Sequence, residues 1–180
     1  MMSRFDQLFT HSSEYRVVVC KQCQFAVVPS QVPRHLRDHH PSVSKEGQGE
    51  VIHRFKDTQD VAHAKEDIRY PEPTSAPVPG LPVYTDGFQC TQEGCEYICQ
   101  GLKHVQRHCR TEHQWVNPQK RGGQRRGQRE GVEEQKPWRG GVSYQRFFEY
   151  AQWKRFFEVQ TQVRETSNPD DEAFGQELFS

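Results

Sequence analysis

The residues best equipped for chemistry are the cysteines and histidines, and eight of them fall into one pattern used twice. The clearer copy reads Cys90-x4-Cys95-x12-His108-x4-His113. The other reads Cys20-x2-Cys23-x11-His35, closed by His40 or, as the alternative, His39. Two thiols on a tight turn and two imidazoles on one helix face converge on a point, the arrangement a tetrahedral zinc ion takes from protein. His39 gives the commoner three-residue gap to His35, whereas His40 aligns with His113 in the repeat and is favoured for that reason. The neighbours repeat too. Phe25 and Tyr97 each stand two residues past the second cysteine, and Arg34-His35 matches Arg107-His108. Independent recurrence of the whole pattern argues against ordinary buried cysteines and surface histidines.

Four protein donors close the coordination sphere, so the two expected Zn2+ ions are structural. The sequence holds no HExxH, no phosphate loop, no GxSxG and no dinucleotide fingerprint, and the chain is read as not an enzyme, with no small-molecule substrate. Cys99 falls on an apolar strand position and reads as a small core residue, Cys109 as a thiol next to His108, and His104 as a helix-surface histidine.

The elements that must position these groups follow from the same spacing. Val18 and Phe88, two before each first cysteine, and Val32 and Val105, three before each first histidine, take the positions where a helix packs on a hairpin. The fold class expected is small α+β zinc-stabilised modules: two ββα C2H2-like fingers joined by a flexible linker, with an aromatic C-terminal segment and disordered termini. The first unit spans residues 15–40, with its helix starting at Ser30 as N-cap because Pro29 and Pro33 fit only a first turn. Residues 41–80 form a linker. A short helix there would carry Val51, Ile52 and Phe55 on one face, continuing to Gln59 and Ala62, before a proline-marked extended stretch. The second unit spans 81–118, a Gly/Arg-rich linker 119–136, an aromatic segment 137–160 and an acidic tail 161–180.

Composition supports small stapled units. Of 180 residues only 33% are hydrophobic, with 13 glycines and 11 prolines, and mean hydropathy is −0.98. Such a chain cannot offset backbone entropy with one large core, and small domains use metals or disulfides instead. The N-terminus lacks the apolar run of a secretory signal, and no stretch is long enough to cross a membrane. The protein is therefore expected in the nucleus or cytoplasm, not secreted, where cysteines beside histidines read as metal ligands rather than disulfides.

Two partner classes compete. For DNA or RNA, the helix positions that meet base edges in DNA-reading fingers are Gly101, His104 and Arg107 in the second unit. Val28, Gln31 and Arg34 are the weaker equivalents in the first. Lys120, Arg121, Arg125, Arg126 and Arg129 could hold phosphates non-specifically, or belong to a solvated linker or a nuclear-import patch. Almost fifty residues between His40 and Cys90 rule out a standard tandem array. For a protein partner, Trp138, Tyr144, Phe147, Phe148, Tyr150, Trp153, Phe156 and Phe157 form either a small core docking on the second finger, the reading favoured, or an interaction surface. RFFEY and RFFEV flank AQWK, which fits a hairpin; an amphipathic helix fits as well.

The order VVVCKQCQFAVVPSQVPRHLRDHH, GLPVYTDGFQC, RHCRTEHQWVNP, QRFF and FFEV resembles the fungal orsellinic-acid biosynthesis cluster protein D family, from about Tyr15 to Val159. The resemblance implies a C2H2-type protein whose paired Cys/His set falls on Cys20, Cys23, His35, His40, Cys90, Cys95, His108 and His113. It also implies an association with a fungal secondary-metabolite cluster, without naming a chemical step. Tyr144 stands where a cysteine is frequent in that family, so the resemblance does not carry a third metal or thiol role over to the segment before QRFF.

Overall fold

The computed structural model describes residues 2–116 and 136–160. Its first sheet is built around VVVC at 17–20, a run of four buried residues. In a strand successive side chains point to opposite faces, so four buried residues in a row require cover on both sides. The chain supplies it. β1 (Phe9–Ser12), β2 (Val17–Cys20) and β3 (Phe25–Ala26) form an antiparallel sheet in that order. Val18 and Cys20 face a core with Phe5, Phe9, Val32, Leu36, Val51 and Phe55. Val17 and Val19 face a second core with Val78, Leu81, Phe147, Phe148, Phe157 and Val159.

The first core is helical. α1 (Arg4–Leu8) precedes β1, α2 (Val32–His39) follows β3, and α3 (Lys45–Asp57) lies across them. Ser44 caps α3 by accepting the Gly47 N–H at 3.2 Å. Val51 and Phe55, four residues apart, bury one face of α3, with Phe55 edge-on to Phe5 at 5.2 Å and Phe9 at 5.1 Å. The first unit thus reaches back well before residue 15, and Arg4–Ser12 is helix and strand rather than loose terminus. The expected helix within 41–80 is present, but it ends at Asp57; Ala62, expected on its face, packs in the other core. Ser30 is not an N-cap: Pro29–Gln31 is a 3-10 turn and α2 begins at Val32. The two prolines hold the approach to α2 in that tighter turn.

The second sheet has the order β5-β4-β6-β7, all antiparallel, with β4 at Tyr84–Cys90, β5 at Ile98–Cys99, β6 at Trp138–Arg146 and β7 at Phe156–Glu158. α4 (Leu102–His113) packs Val105 and Cys109 onto it. β6 pairs with β4 through Cys90↔Trp138 to Tyr84↔Tyr144. Gly87 is required there: a Cβ would stand 2.6 Å from the Tyr144 ring and 2.8 Å from the Val142 carbonyl oxygen. The aromatic segment is a hairpin, not a helix, but its first strand ends at Arg146. Phe147 and Phe148 lie in the connection, where they fill the first sheet's second core.

That packing overturns the flexible linker. The Ala26 N–H bonds the Phe147 carbonyl at 2.6 Å, and Gln160 N–H bonds the Ser75 carbonyl at 2.8 Å. The fully buried Gln145 clamps the proline-rich stretch: its Oε1 accepts from Val78 N–H at 2.7 Å, and its Nε2 donates to the carbonyls of Val78 at 3.1 Å and Leu81 at 2.9 Å. The stretch is extended, as expected, yet docked. The Gly/Arg-rich linker from 119 to 135 and the acidic tail 161–180 lie outside the described residues, as do Lys120, Arg121, Arg125, Arg126 and Arg129. Among the described residues no helix is long and apolar enough to cross a membrane.

Gln145→Leu keeps the side-chain bulk but strands the Val78 N–H and the Leu81 carbonyl, while the Val78 carbonyl keeps the Leu81 N–H at 3.4 Å; each stranded group costs roughly 1–3 kcal/mol. We expect a loss of about 2–4 kcal/mol, read as a lower urea midpoint with an unchanged slope. An unchanged midpoint would mean that the Val78–Leu81 stretch is not held by this amide.

Candidate metal centres

Each set of four donors spans a hairpin and the helix after it. In the first set Cys20 ends β2 and Cys23 sits on the turn leading to β3. The turn is closed by Gln24 in the left-handed region at φ 57°, with its N–H on the Cys20 carbonyl at 2.8 Å. Cys23 N–H points at Cys20 Sγ, 3.4 Å away. His35 lies within α2. Five residues along a helix rotate a side chain by about 140°, which would carry His40 off the His35 face. The structure resolves this by ending α2 at His39. His40 is the C-cap, with φ −131° and ψ 54°, and its ring turns back to place Nε2 3.2 Å from Cys20 Sγ and 3.8 Å from Cys23 Sγ.

Cys20, Cys23, His35 and His40 thereby bring one donor atom each to within 4.8 Å of one another. His39 is not in the group. It remains on the helix, exposed, with its ring stacked on His35 at 4.9 Å and edge-on to Phe25 at 5.9 Å.

The second set repeats the construction with a longer turn. Cys90 ends β4, and Cys95 follows Gly94, whose φ of 73° suits a residue without Cβ. His108 is on α4 and His113 is its last residue. The helix stops at Gln114, in the left-handed conformation at φ 54°, and Trp115 N–H reaches back to the Cys109 carbonyl at 3.0 Å. Cys95 Sγ lies 3.2 Å from His108 Nε2. Again the four donor atoms of Cys90, Cys95, His108 and His113 all fall within 4.8 Å.

These groups fit a metal ion. Around one tetrahedral centre, sulfur and nitrogen ligands stand about 3.6 Å apart, and the measured contacts bracket that figure. His35 Nε2 and His113 Nε2 are buried with no hydrogen-bond partner, a costly arrangement unless something else meets the lone pair. Burial, then the neighbouring Cys20 thiol, pushes Cys23 up to about 12. Burial, then the other imidazoles, takes His35 down to about 4. Burial likewise raises Cys90 and Cys95 and lowers His108. Burial thus favours the neutral form of His35, His40 and His108, the form a ligand must take, while Cys23, Cys90 and Cys95 need a cation beside them to give up their protons.

Each site has a wall that the Cys/His spacing does not announce. In the first sheet β1 places Phe9 opposite Cys20, with its ring 5.9 Å from His35 and 6.4 Å from His40. In the second, β6 places Trp138 opposite Cys90, and Trp138 meets Trp115 edge-on at 4.8 Å. The same device, an extra antiparallel strand carrying an aromatic opposite the first cysteine, serves both units. The pairing of β6 with β4 agrees with an aromatic core docking on the second finger, whereas Phe9 lies in the N-terminal stretch that the sequence leaves without structure. The matched residues Phe25 and Tyr97 each contact the first histidine of their set, Tyr97 by a parallel stack on His108 at 3.9 Å.

The remaining thiols are buried. Cys99 is a core residue of β5 whose Sγ approaches the Gly101 carbonyl at 3.4 Å. Cys109 lies beside the second group, 3.9 Å from Cys90 Sγ and 3.5 Å from the Pro137 carbonyl. His104 and Arg107 are exposed on α4, away from the donors. Val28 is buried, so the first unit does not present all three base-reading positions; Arg34 stays exposed and pairs with Asp38 at 3.2 Å.

Counting bound metal by native mass spectrometry separates the two candidates for the fourth ligand. His40→Ala should lose one metal ion per chain, while His39→Ala should keep both. The reverse result would transfer the ligand role to His39.

A model of the family described as orsellinic acid/F9775 biosynthesis cluster protein D matches residues 7–114. That span begins in α1 and holds both donor sets, but stops short of the QRFF and FFEV segments included in the resemblance above. The chain is 31% identical over 114 residues to the orsellinic acid/F9775 biosynthesis cluster protein D of Emericella nidulans. The aligned region covers 59% of this chain and 20% of that protein, so the chain spans a small part of its relative's length. No solved structure matches. With a family match running over more than half of its length, the chain belongs to the orsellinic acid/F9775 biosynthesis cluster protein D family.

Proposed function

We propose that this chain is a zinc-stabilised binding module of C2H2 type, built as two ββα finger-like units each widened by an extra strand, and that its second unit contacts nucleic acid in a regulatory, nuclear role. Zinc is the metal of choice because two thiolates and two imidazoles in a closed tetrahedral set suit it well. With all four positions taken by protein, the ion holds structure, and we assign the module no catalytic role. The relative's name ties that protein to a biosynthesis cluster; regulation within such a cluster is the context we propose here.

The observation that carries the reading is the difference between the two helices. The first is neutralised: Val28 is buried, α3 packs against α2, and Arg34 and Arg37, though exposed, both pair with Asp38 at 3.2 and 3.0 Å. The second is open: Lys103, His104, Arg107 and Arg110 are all exposed along α4, while Val105 and Cys109 bury the opposite face. A basic helix face held by a folded scaffold is the electrostatic footprint of a phosphate-bearing partner. The rival reading, a protein partner gripping the aromatic segment, loses most of its surface, because Tyr144, Phe147, Phe148 and Phe157 are buried.

Random duplex and single-stranded pools, incubated with zinc-loaded protein at physiological salt, test this. Binding should be retained in Arg34→Ala and lost in His108→Ala, which removes a ligand of the second unit. Binding that survives His108→Ala unchanged would move the contact to the Arg/Gly segment and refute the role of α4.

A further inference from the structure

Beside the exposed face of α4 lies a cleft of about 830 Å³. Two segments distant in sequence build it. The β5 edge and α4 contribute Tyr97, Ile98, His104 and Arg107, and the connection into β7 contributes Lys154, Arg155 and Phe156. Its volume is that of a small-ligand site. Three fixed cations line it against one carboxylate, Glu96, which is taken by Arg155 at 2.9 Å. Arg155 is further occupied by the Tyr70 ring, 4.4 Å from its guanidinium carbon. Among the described residues Arg107 and Lys154 have no carboxylate partner. Lys154 rests over the Phe156 ring at 5.0 Å, which places its ammonium at the cleft. Half-buried Tyr97 and Phe156 add aromatic surface beside these charges.

Resting on the nucleic-acid reading above, we propose that this cleft seats a nucleoside phosphate, presented as one unit of a single-stranded nucleic acid, with Arg107 and Lys154 holding phosphate and the aromatic wall meeting the base. Cationic side chains interleaved with aromatic ones are how strands without a partner are held, since every base has a stackable face. Duplex reading suits this helix poorly. A helix with its side chains, about 10–12 Å across, already fills a major groove about 12 Å wide. The segment around Lys154 and Phe156 shares a cleft with the reading face of α4 and would have to enter with it. The same segment that obstructs a duplex supplies the second wall for a single strand.

The test uses the zinc-loaded full chain and three probes: fluorescein-labelled dT12, its duplex with dA12, and thymidine monophosphate as competitor. Arg107 and Lys154 are exposed and are not among the metal donors, and an unchanged zinc count confirms that their variants fold. We expect dT12 to bind more tightly than the duplex. Arg107→Ala and Lys154→Ala should each weaken dT12 several-fold and lower the slope of log affinity against log salt by about 0.7, one phosphate contact on a single strand. Displacement of dT12 by millimolar thymidine monophosphate would support the cleft with a free nucleotide as its source; failure to displace, with the other results as expected, would support the strand. Tight dT12 binding that neither variant alters, or a clear preference for duplex, would overturn the cleft while leaving the nucleic-acid reading standing. No binding of any probe would overturn both.

Discussion

Everything in this fold hangs on two points where two thiols and two imidazoles are forced together. Buried thiols resist ionisation and buried imidazoles resist protonation, and two imidazole nitrogens face inward with no hydrogen-bond partner. Such a cluster is unfavourable alone and would be favourable around a divalent cation, in which case the energy of metal binding would become energy of folding. The local geometry serves that convergence. Gln24 and Gly94 take left-handed conformations to bend the cysteine turns. Both helices finish at the last histidine or just before it, which lets a five-residue spacing reach the same centre.

Around those points the chain makes economical use of few apolar residues. β2 is buried on both faces, so three valines serve two cores. The extra strands β1 and β6 cover the cysteine strands and set Phe9 and Trp138 against the metal groups. The connection between β6 and β7 then carries Phe147 and Phe148 across to the first sheet, joining units that the spacing alone leaves separate.

The donor sets were legible in the sequence because metal geometry constrains residue type and spacing together, and the repeat made one copy check the other. The choice of His40 was legible from that repeat alone; helical spacing favours His39, and the early end of α2 is what decides. The packing positions Val18, Val32, Phe88 and Val105 were legible because each is fixed by its distance from a ligand. The long-range assembly was not. Low mean hydropathy reads as loose linkers, but hydropathy averages over Val51, Phe55, Val78 and Leu81, four buried residues scattered among charges and prolines. Pairing of Trp138 with Cys90 spans nearly fifty residues, and no local pattern specifies it. The first unit's base-reading positions were the weaker set in the sequence, and the structure buries Val28 and pairs Arg34 with Asp38.

Extended X-ray absorption at the zinc edge of the intact protein tests the central claim most directly. Two zinc ions per chain should each show two sulfur neighbours at about 2.3 Å and two imidazole nitrogens at about 2.0 Å. Fewer than two ions, or an oxygen neighbour in place of a sulfur or nitrogen, would contradict two closed structural sites.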